Sequence, residues 1–167
     1  MVSIQDLKGF ELFNGLEDAK LEEIAKLCRE RVCEPESIYF TEGSKAEDLY
    51  LLREGEVEIV FRSPRRCSKA TVTRIGPGRV FGWSALVEPG VLTASARCTK
   101  RAQVISIRGA DLIDIFEKDS HTGYVVMKNL SAVIASRLTR TRQRLSLEME
   151  KTAPERGEVN VKSILRG

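Results

Sequence analysis

The spacing of apolar residues changes twice along the chain, and each change predicts a change of secondary structure. The N-terminal part carries apolar residues first three apart and then at i, i+3, i+4 and i+7. These residues are Leu7, Phe10, Phe13, Leu16, Leu21, Ile24, Ala25 and Cys28. Glu17 and Asp18 precede the second group, where negative charge favours the start of a helix. The N-terminal segment is therefore predicted to be helical.

From about Arg31 the pattern changes to short runs rich in Val, Ile, Tyr and Thr, which are typical of antiparallel strands. Eight strands are predicted: Arg31–Glu34, Ser37–Thr41, Asp48–Arg53, Glu56–Arg62, Ala70–Ile75, Val80–Phe81, Thr93–Thr99 and Gln103–Arg108. Six of the 12 glycines fall within residues 43–90, which indicates many tight turns. Short strands joined by tight turns predict an eight-stranded antiparallel β roll of the jelly-roll kind.

Helical spacing returns after the strands. A short helix is predicted from Gly109, and a long one from about Thr122 to Met149. The long helix carries a coiled-coil-like stripe, which consists of Met127, Leu130, Ile134, Leu138 and Leu145, with Thr141 filling the missing contact. The predicted fold class is mainly β with flanking helices. We expect a β-roll domain at 1–118, a long C-terminal helix at 119–150 and a tail at 151–167.

Composition narrows the class of protein without identifying it. The chain has 167 residues, of which 42% are hydrophobic and 31% charged, and this suits one soluble domain. No apolar run approaches the roughly 20 residues that span a membrane, and the N-terminus lacks the pattern of a signal peptide. We therefore expect a cytoplasmic protein. The net charge of +3 is concentrated near the C-terminus, since residues 119–167 hold nine basic and five acidic groups.

The cysteines predict no metal site. Cys28, Cys33, Cys67 and Cys98 are scattered without a C-x-x-C pair, and His121 is the single histidine. Zinc sites and iron–sulfur clusters need more closely grouped ligands. We interpret the four cysteines as free thiols in a reducing compartment. No motif pairs His121 with a nucleophile, so no catalytic activity is predicted.

Four segments carry a more specific pattern: Leu12–Leu16, Ile38–Gly43, Leu49–Val57 and Gly76–Gly82. Together with the order of helices and strands, they resemble the cyclic nucleotide-binding domain superfamily. This domain is the sensor module of catabolite-activator-type bacterial regulators and of cyclic-nucleotide-gated channels and kinases. The resemblance covers about residues 8–148. It implies a regulatory module whose ligand is a cyclic nucleotide or another small anionic molecule.

The resemblance also implies a phosphate cassette after Phe81. In the family, a helical turn there points backbone N–H groups at the cyclic phosphate, an arginine clamps the phosphate, and a glutamate accepts from the ribose hydroxyl. The corresponding residues here are Gly82, Trp83, Ser84, Ala85, Leu86, Leu92, Thr93 and Ala94. Trp83 stands at the glutamate position and Leu92 at the arginine position. Each lost charge-assisted hydrogen bond costs roughly 1.5–3 kcal/mol, which implies weakened binding of cyclic AMP or cyclic GMP in the usual manner.

Two interpretations of Trp83 stay open. Its indole could contact a different ligand, or it could fill the emptied pocket beside Leu92, which we favour. Arg79 and Arg97 are candidates for a displaced cation, although solvated arginines on strands are commoner.

The resemblance further implies a homodimer, because family members commonly pair the long helix with its symmetry mate. Packing of the same apolar stripe on its own barrel is the alternative. Four arginines near the end of this helix, Arg137, Arg140, Arg142 and Arg144, complement its dipole or form a nucleic-acid face. Transcriptional regulators of the family carry a helix-turn-helix domain after this helix. The segment after Met149 is too short for such a domain, so direct DNA reading is not expected.

The leading hypothesis is a non-catalytic, ligand-sensing module in which a ligand shifts the long helix and a partner protein reads the shift. A ligand-free interaction module with a closed pocket is the first alternative. A nucleic-acid-associated regulator that uses the arginine-rich helix is the second.

Overall fold

The computed structural model describes residues 1–62 and 69–152, which form four α-helices, two short 3₁₀ helices and six strands. The helices are α1 Ile4–Lys8, α2 Asp18–Leu27, α3 Gly109–Lys118 and α4 Ser120–Thr152, with 3₁₀ helices at Glu11–Phe13 and Trp83–Leu86. The strands are β1 Arg29–Cys33, β2 Ile38–Phe40, β3 Asp48–Arg62, β4 Lys69–Ile75, β5 Arg79–Phe81 and β6 Ser95–Arg108. The predicted fold class, mainly antiparallel β with flanking helices and a long C-terminal helix, is confirmed.

The described strands form one antiparallel sheet in the order β1-β6-β3-β4, with β2 beside β6 and β5 beside β3. The structure differs from the eight predicted strands because two predicted pairs are continuous, as β3 and β6. Between β3 and β6 the register shifts around Gly55. Gly55 has a φ of 90°, and a Cβ there would lie 2.7 Å from the Ala102 Cα. This glycine bends the strand, although in the sequence it looks like a turn.

β3 and β6 send side chains into two separate cores, one on each face. Leu49, Leu51 and Ile105 face the helices, whereas Tyr50 and Leu52 face the interior of the roll. We call these two clusters the helix-side core and the roll core. The helix-side core also contains Leu7, Leu21, Leu86, Leu112 and Leu130, and the roll core also contains Val57, Ile75, Phe81, Ala96 and Cys98. Burial on both faces explains the uninterrupted apolar run at residues 49–52.

α4 begins at Ser120, where Asp119 caps it. One carboxylate oxygen of Asp119 accepts from the backbone N–H groups of His121 and Thr122, at 3.1 and 3.2 Å. The other lies 2.9 Å from the Lys20 Nζ. The Lys20 ammonium and the hydrogen bonds from Thr122 hold the pKa of Asp119 well below its usual range. The cap thus also ties α4 to α2.

The chain divides into two compact units, and α4 contributes to both. The first, Met1–Ile134, includes the β roll and the part of α4 that buries Val126, Leu130 and Val133 in the helix-side core. In the second, residues 138–150 of α4 are exposed. The predicted boundary after residue 118 stays a prediction, and residues 153–167 of the predicted tail lie outside the described residues. No helix in the described part of the chain is long and apolar enough to cross a membrane.

Candidate functional site

The predicted cassette follows β5 and begins with a glycine that no other residue could replace without strain. Gly82 has a φ of 75°, in the left-handed region. A Cβ at this position would lie 2.8 Å from the Tyr50 ring and 2.9 Å from the Asp48 carbonyl oxygen. Gly82 therefore supplies both the backbone turn and the close approach to β3. The 3₁₀ helix Trp83–Leu86 follows directly, and the Ala85 N–H donates to the Gly82 carbonyl over 3.2 Å.

The side chains of this 3₁₀ helix connect the cassette with the helices. Leu86 is buried in the helix-side core, and the half-buried Trp83 packs against the same core. Ser84 and Ala85 are half-buried. The backbone of Ala85 lies directly against Gly109, the first residue of α3. Trp83, which is predicted to stand at the family's glutamate position, therefore packs its indole against apolar side chains.

Leu92, which is predicted to stand at the family's arginine position, has different neighbours. Its side chain is 6% exposed, and it lines a cavity of about 350 Å³ together with Tyr39, Phe40 and Tyr50. Its backbone is fixed to the turn before β3, since its N–H donates to the Ser44 carbonyl over 2.9 Å. The next two predicted residues lie just before β6: Thr93 is exposed and Ala94 is half-buried. Tyr50 connects the two parts of the site, because it contacts Gly82 and also lines the Leu92 cavity.

Four aromatic side chains form a cluster that was not predicted from the sequence. Tyr39 and Phe40 of β2, Tyr50 of β3 and Phe81 of β5 pack with ring centroids 5.0 to 6.1 Å apart. We call this set the aromatic cluster. Burial raises the pKa of Tyr50, and of Tyr39 more strongly. In the sequence, these residues indicated only strands. Two of the three tyrosines and two of the six phenylalanines lie in this cluster, and that concentration was the available signal.

The charged groups around the Leu92 cavity balance one another. Arg31 donates to the Asp48 carboxylate over 3.0 Å, and Lys45 and Glu47 also contribute to the wall. The described lining thus holds two basic and two acidic residues and has no net positive charge. A phosphate at Leu92 would not meet an excess of positive charge there.

The two arginines considered as displaced cations are held in ion pairs. Arg79 reaches the Glu11 carboxylate at 2.6 Å. Arg97 reaches Glu58 at 2.8 Å and Glu36 at 3.2 Å. The bond to Glu58 raises the pKa of Arg97. Both guanidinium groups therefore already have carboxylate partners.

The apolar stripe of α4 is buried only in its first half. Leu130 lies in the helix-side core, and Met127 and Ile134 pack against it. By contrast, Leu138 is 68% and Leu145 56% exposed. All of residues 138–150 are exposed, including Arg140, Thr141, Arg142 and Arg144. Within residues 1–62 and 69–152, no group of three or more His, Cys, Asp or Glu side chains could hold a metal ion.

A β roll with a glycine-led cassette and a long helix after it defines a regulatory, ligand-sensing class of domain. The family model for the cyclic nucleotide-binding domain matches residues 30–119, more than half of the chain. The chain therefore belongs to the cyclic nucleotide-binding domain family.

Individual relatives agree with this assignment. A protein of known structure from Geobacter metallireducens, described as cyclic nucleotide-binding, is 38% identical, with a TM-score of 0.75 over 83% of this chain and 99% of that one. The cyclic AMP receptor protein of Thermus thermophilus is 26% identical over 132 residues, which cover 79% of this chain and 59% of the relative. The regulatory domain of Toxoplasma gondii PKA, crystallised with cAMP, shares the fold at 22% identity, with a TM-score of 0.62 over 67% of this chain and 42% of that one.

Proposed function

We propose that this domain is a non-catalytic regulatory module that does not bind cyclic AMP or cyclic GMP through the contacts usual in its family. The observation that carries the proposal is Leu92. It stands at the arginine position, is 6% exposed, and lies beside aromatic side chains in a cavity whose described charges balance. A cyclic phosphate placed there would lose water and gain no excess of positive charge, which is strongly unfavourable.

Trp83 supports the same proposal, because it concerns the contact to the ribose rather than the contact to the phosphate. In the family, the side chain after the cassette glycine accepts from the ribose hydroxyl. An indole has no acceptor, because its one polar group is an N–H donor. Trp83 also packs against the helix-side core, so its ring stabilises the cassette through apolar contacts. Both charged contacts to a cyclic nucleotide are therefore replaced.

Titration calorimetry with cyclic AMP and cyclic GMP tests this proposal. We expect no binding heat for the wild type and measurable affinity for cyclic AMP in Trp83→Glu/Leu92→Arg. Each restored charge-assisted hydrogen bond should raise affinity about tenfold or more. Val91→Arg with Trp83→Glu is the matched control, since Val91 is 41% exposed and gives the same charge one residue away. Wild-type affinity for cyclic AMP equal to that of the restored variant would refute the proposal.

The aromatic cluster favours a second candidate, a ligand-free interaction module. Tyr50 and Phe81 stack at 5.0 Å, and Tyr39 and Phe40 pack against both. These rings occupy the space between β2, β3 and β5 beside Gly82. The absence of heat and of thermal shift with cyclic AMP, cyclic GMP and cyclic dinucleotides would favour this closed module. A shift with one of them would favour a sensor of a different ligand.

The chain spans 59% of the length of the Thermus thermophilus relative, so the partners of the whole protein are also proposed. We propose a cytoplasmic homodimer that forms through the exposed half of the α4 stripe and is read by a partner protein. Direct DNA reading by this chain is not proposed. DNA affinity that falls steeply with salt would instead support the arginine-rich face of α4.

A further inference from the structure

Two cysteines that are far apart in the sequence are neighbours in the roll core. Cys33 ends β1 and Cys98 lies in β6, 65 residues later. The Cys98 Sγ lies 3.5 Å from the Cys33 carbonyl oxygen, so the two residues are in direct contact. Cys98 is fully buried in this core, and the half-buried Cys33 packs against it.

The backbone explains this proximity. Within the β1–β6 pair, Cys33 stands opposite Ala102. The chain then turns through residues 34–37 and continues along β6 in the same direction. There the Glu36 N–H donates to the Cys98 carbonyl and the Cys98 N–H donates to the Ser37 carbonyl, each over 2.8 Å. Cys33 is the last residue of an outer strand and lies just before this turn, beside the part of β6 that holds Cys98.

We propose that Cys33 and Cys98 form a reversible intramolecular disulfide when the domain meets hydrogen peroxide. Peroxide reaches the half-buried Cys33 first. The Cys33 thiolate attacks one peroxide oxygen, the O–O bond breaks, and the departing hydroxide takes up a proton, leaving a sulfenic acid and one water. Cys98 then loses its proton and attacks the Cys33 sulfur, and the S–O bond breaks to release a second water. Two thiols are oxidised and one peroxide is reduced to two waters.

The surroundings of the thiols set this order of reaction. Burial raises the pKa of Cys98 to about 11, so few Cys98 thiolates are available for the first attack. As the second reactant, Cys98 needs only to reach the neighbouring sulfur. Cys28 is a natural contrast: burial raises its pKa to about 12, and its thiol donates to the Ile24 carbonyl within its own helical segment. We therefore expect Cys28 to stay reduced.

The test uses the full chain with Cys28→Ser and Cys67→Ser, which leaves Cys33 and Cys98 as the only thiols. After treatment with peroxide and unfolding, we expect the thiol count to fall from two to zero and the mass to fall by two hydrogens, with both restored by dithiothreitol. Adding Cys33→Ser or Cys98→Ser to this background should abolish the intramolecular crosslink. Where Cys33 remains alone, its sulfenic acid should be trapped by dimedone.

Peptide mapping of the oxidised wild type gives the same answer without any substitution, so the test does not depend on the folding of a variant. The thiol count of the wild type should fall from four to two, and one crosslinked pair of peptides should contain Cys33 and Cys98. Persistence of all four thiols would overturn the proposal. A disulfide that joins another pair or two molecules, or further oxidation of a single cysteine without a crosslink, would overturn it as well.

Discussion

At the scale of single residues, the absence of a side chain at Gly109 allows the cassette to pack directly against the start of α3. Gly109 starts α3, and its N–H donates to the Glu47 carbonyl over 2.8 Å. A Cβ on this residue would collide with the backbone of Ala85, which is far less able to move than a side-chain tip. The sequence predicted Gly109 as the start of a helix. Its contact with Ala85, 24 positions earlier, depends on the packing of two distant segments.

Gly109→Ala should therefore destabilise the domain by about 1–3 kcal/mol, as overpacking typically does. The matched control is Gly76→Ala, because nothing lies within 4 Å of a Cβ at Gly76, and we expect a change within about 0.5 kcal/mol. Urea unfolding followed by circular dichroism measures both. Equal unfolding midpoints for the two variants would show that the backbone of Ala85 gives way at little cost.

At the scale of elements, a row of charges joins three strands of the sheet. Glu58 of β3 lies between Arg74 of β4, at 3.2 Å, and Arg97 of β6, at 2.8 Å. Its side chain is 6% exposed, so water screens it poorly. The hydrogen bond from Arg97, with the nearby Arg74, lowers the pKa of Glu58.

This row predicts a pH-dependent stability. Because the folded-state pKa lies below the unfolded value of about 4.3, the ionised carboxylate stabilises the fold above that pH. Its contribution is lost as the pH falls through the folded-state pKa. Glu58→Gln should lower the free energy of unfolding by about 1–3 kcal/mol at pH 7, and the gap from the wild type should narrow toward pH 3. The exposed Glu54→Gln on the same strand is the control, for which we expect little change at either pH.

A second prediction at this scale concerns the contact between α4 and the N-terminal 3₁₀ helix. The Asn129 amide donates to the carbonyl oxygens of Leu12 and Asn14, at 3.0 and 2.8 Å. Removing the amide leaves both acceptors without this donor, so Asn129→Ala should cost about 1–2 kcal/mol. Hydrogen exchange should rise in residues 10–16 and stay unchanged in β6. The exposed Ser131→Ala, two residues later, is the control, and an equal rise in that variant would argue against a specific role for Asn129.

The sequence predicted elements better than it predicted their contacts. The alternation of apolar residues located most strands and helices, because burial on one face leaves a periodic signal. The bend at Gly55 was not predictable, since a glycine after a strand has the same local pattern whether the chain turns or only bends. The aromatic cluster and the Cys33–Cys98 pair join residues of different strands, and their contacts depend on register. The cassette substitutions are predicted from the resemblance alone, whereas the packing of Trp83 on the helix-side core depends on the fold.

At the scale of the whole molecule, the second half of α4 is the surface whose role most needs an experiment. Leu138 and Leu145 are mostly exposed. They belong to the same apolar stripe of α4 as Leu130, which is buried in the helix-side core. The apolar residues in the first half of the stripe pack against the core of their own chain. Exposed leucines at coiled-coil spacing are costly in water and are typical of helix pairing. A two-fold pairing would place the same residues of two copies against each other.

Leu138→Glu/Leu145→Glu should therefore convert a dimer into a monomer, because four carboxylates would meet in one interface. Light scattering coupled to gel filtration measures the mass directly. Ser136→Glu is the control, since it adds negative charge to an exposed position off the stripe, and it should leave the dimer intact. The first unit should unfold at the same urea concentration in both variants, because the substituted residues lie outside its core. A wild type that is monomeric at all protein concentrations would instead mean that α4 presents these leucines to a partner of a different kind.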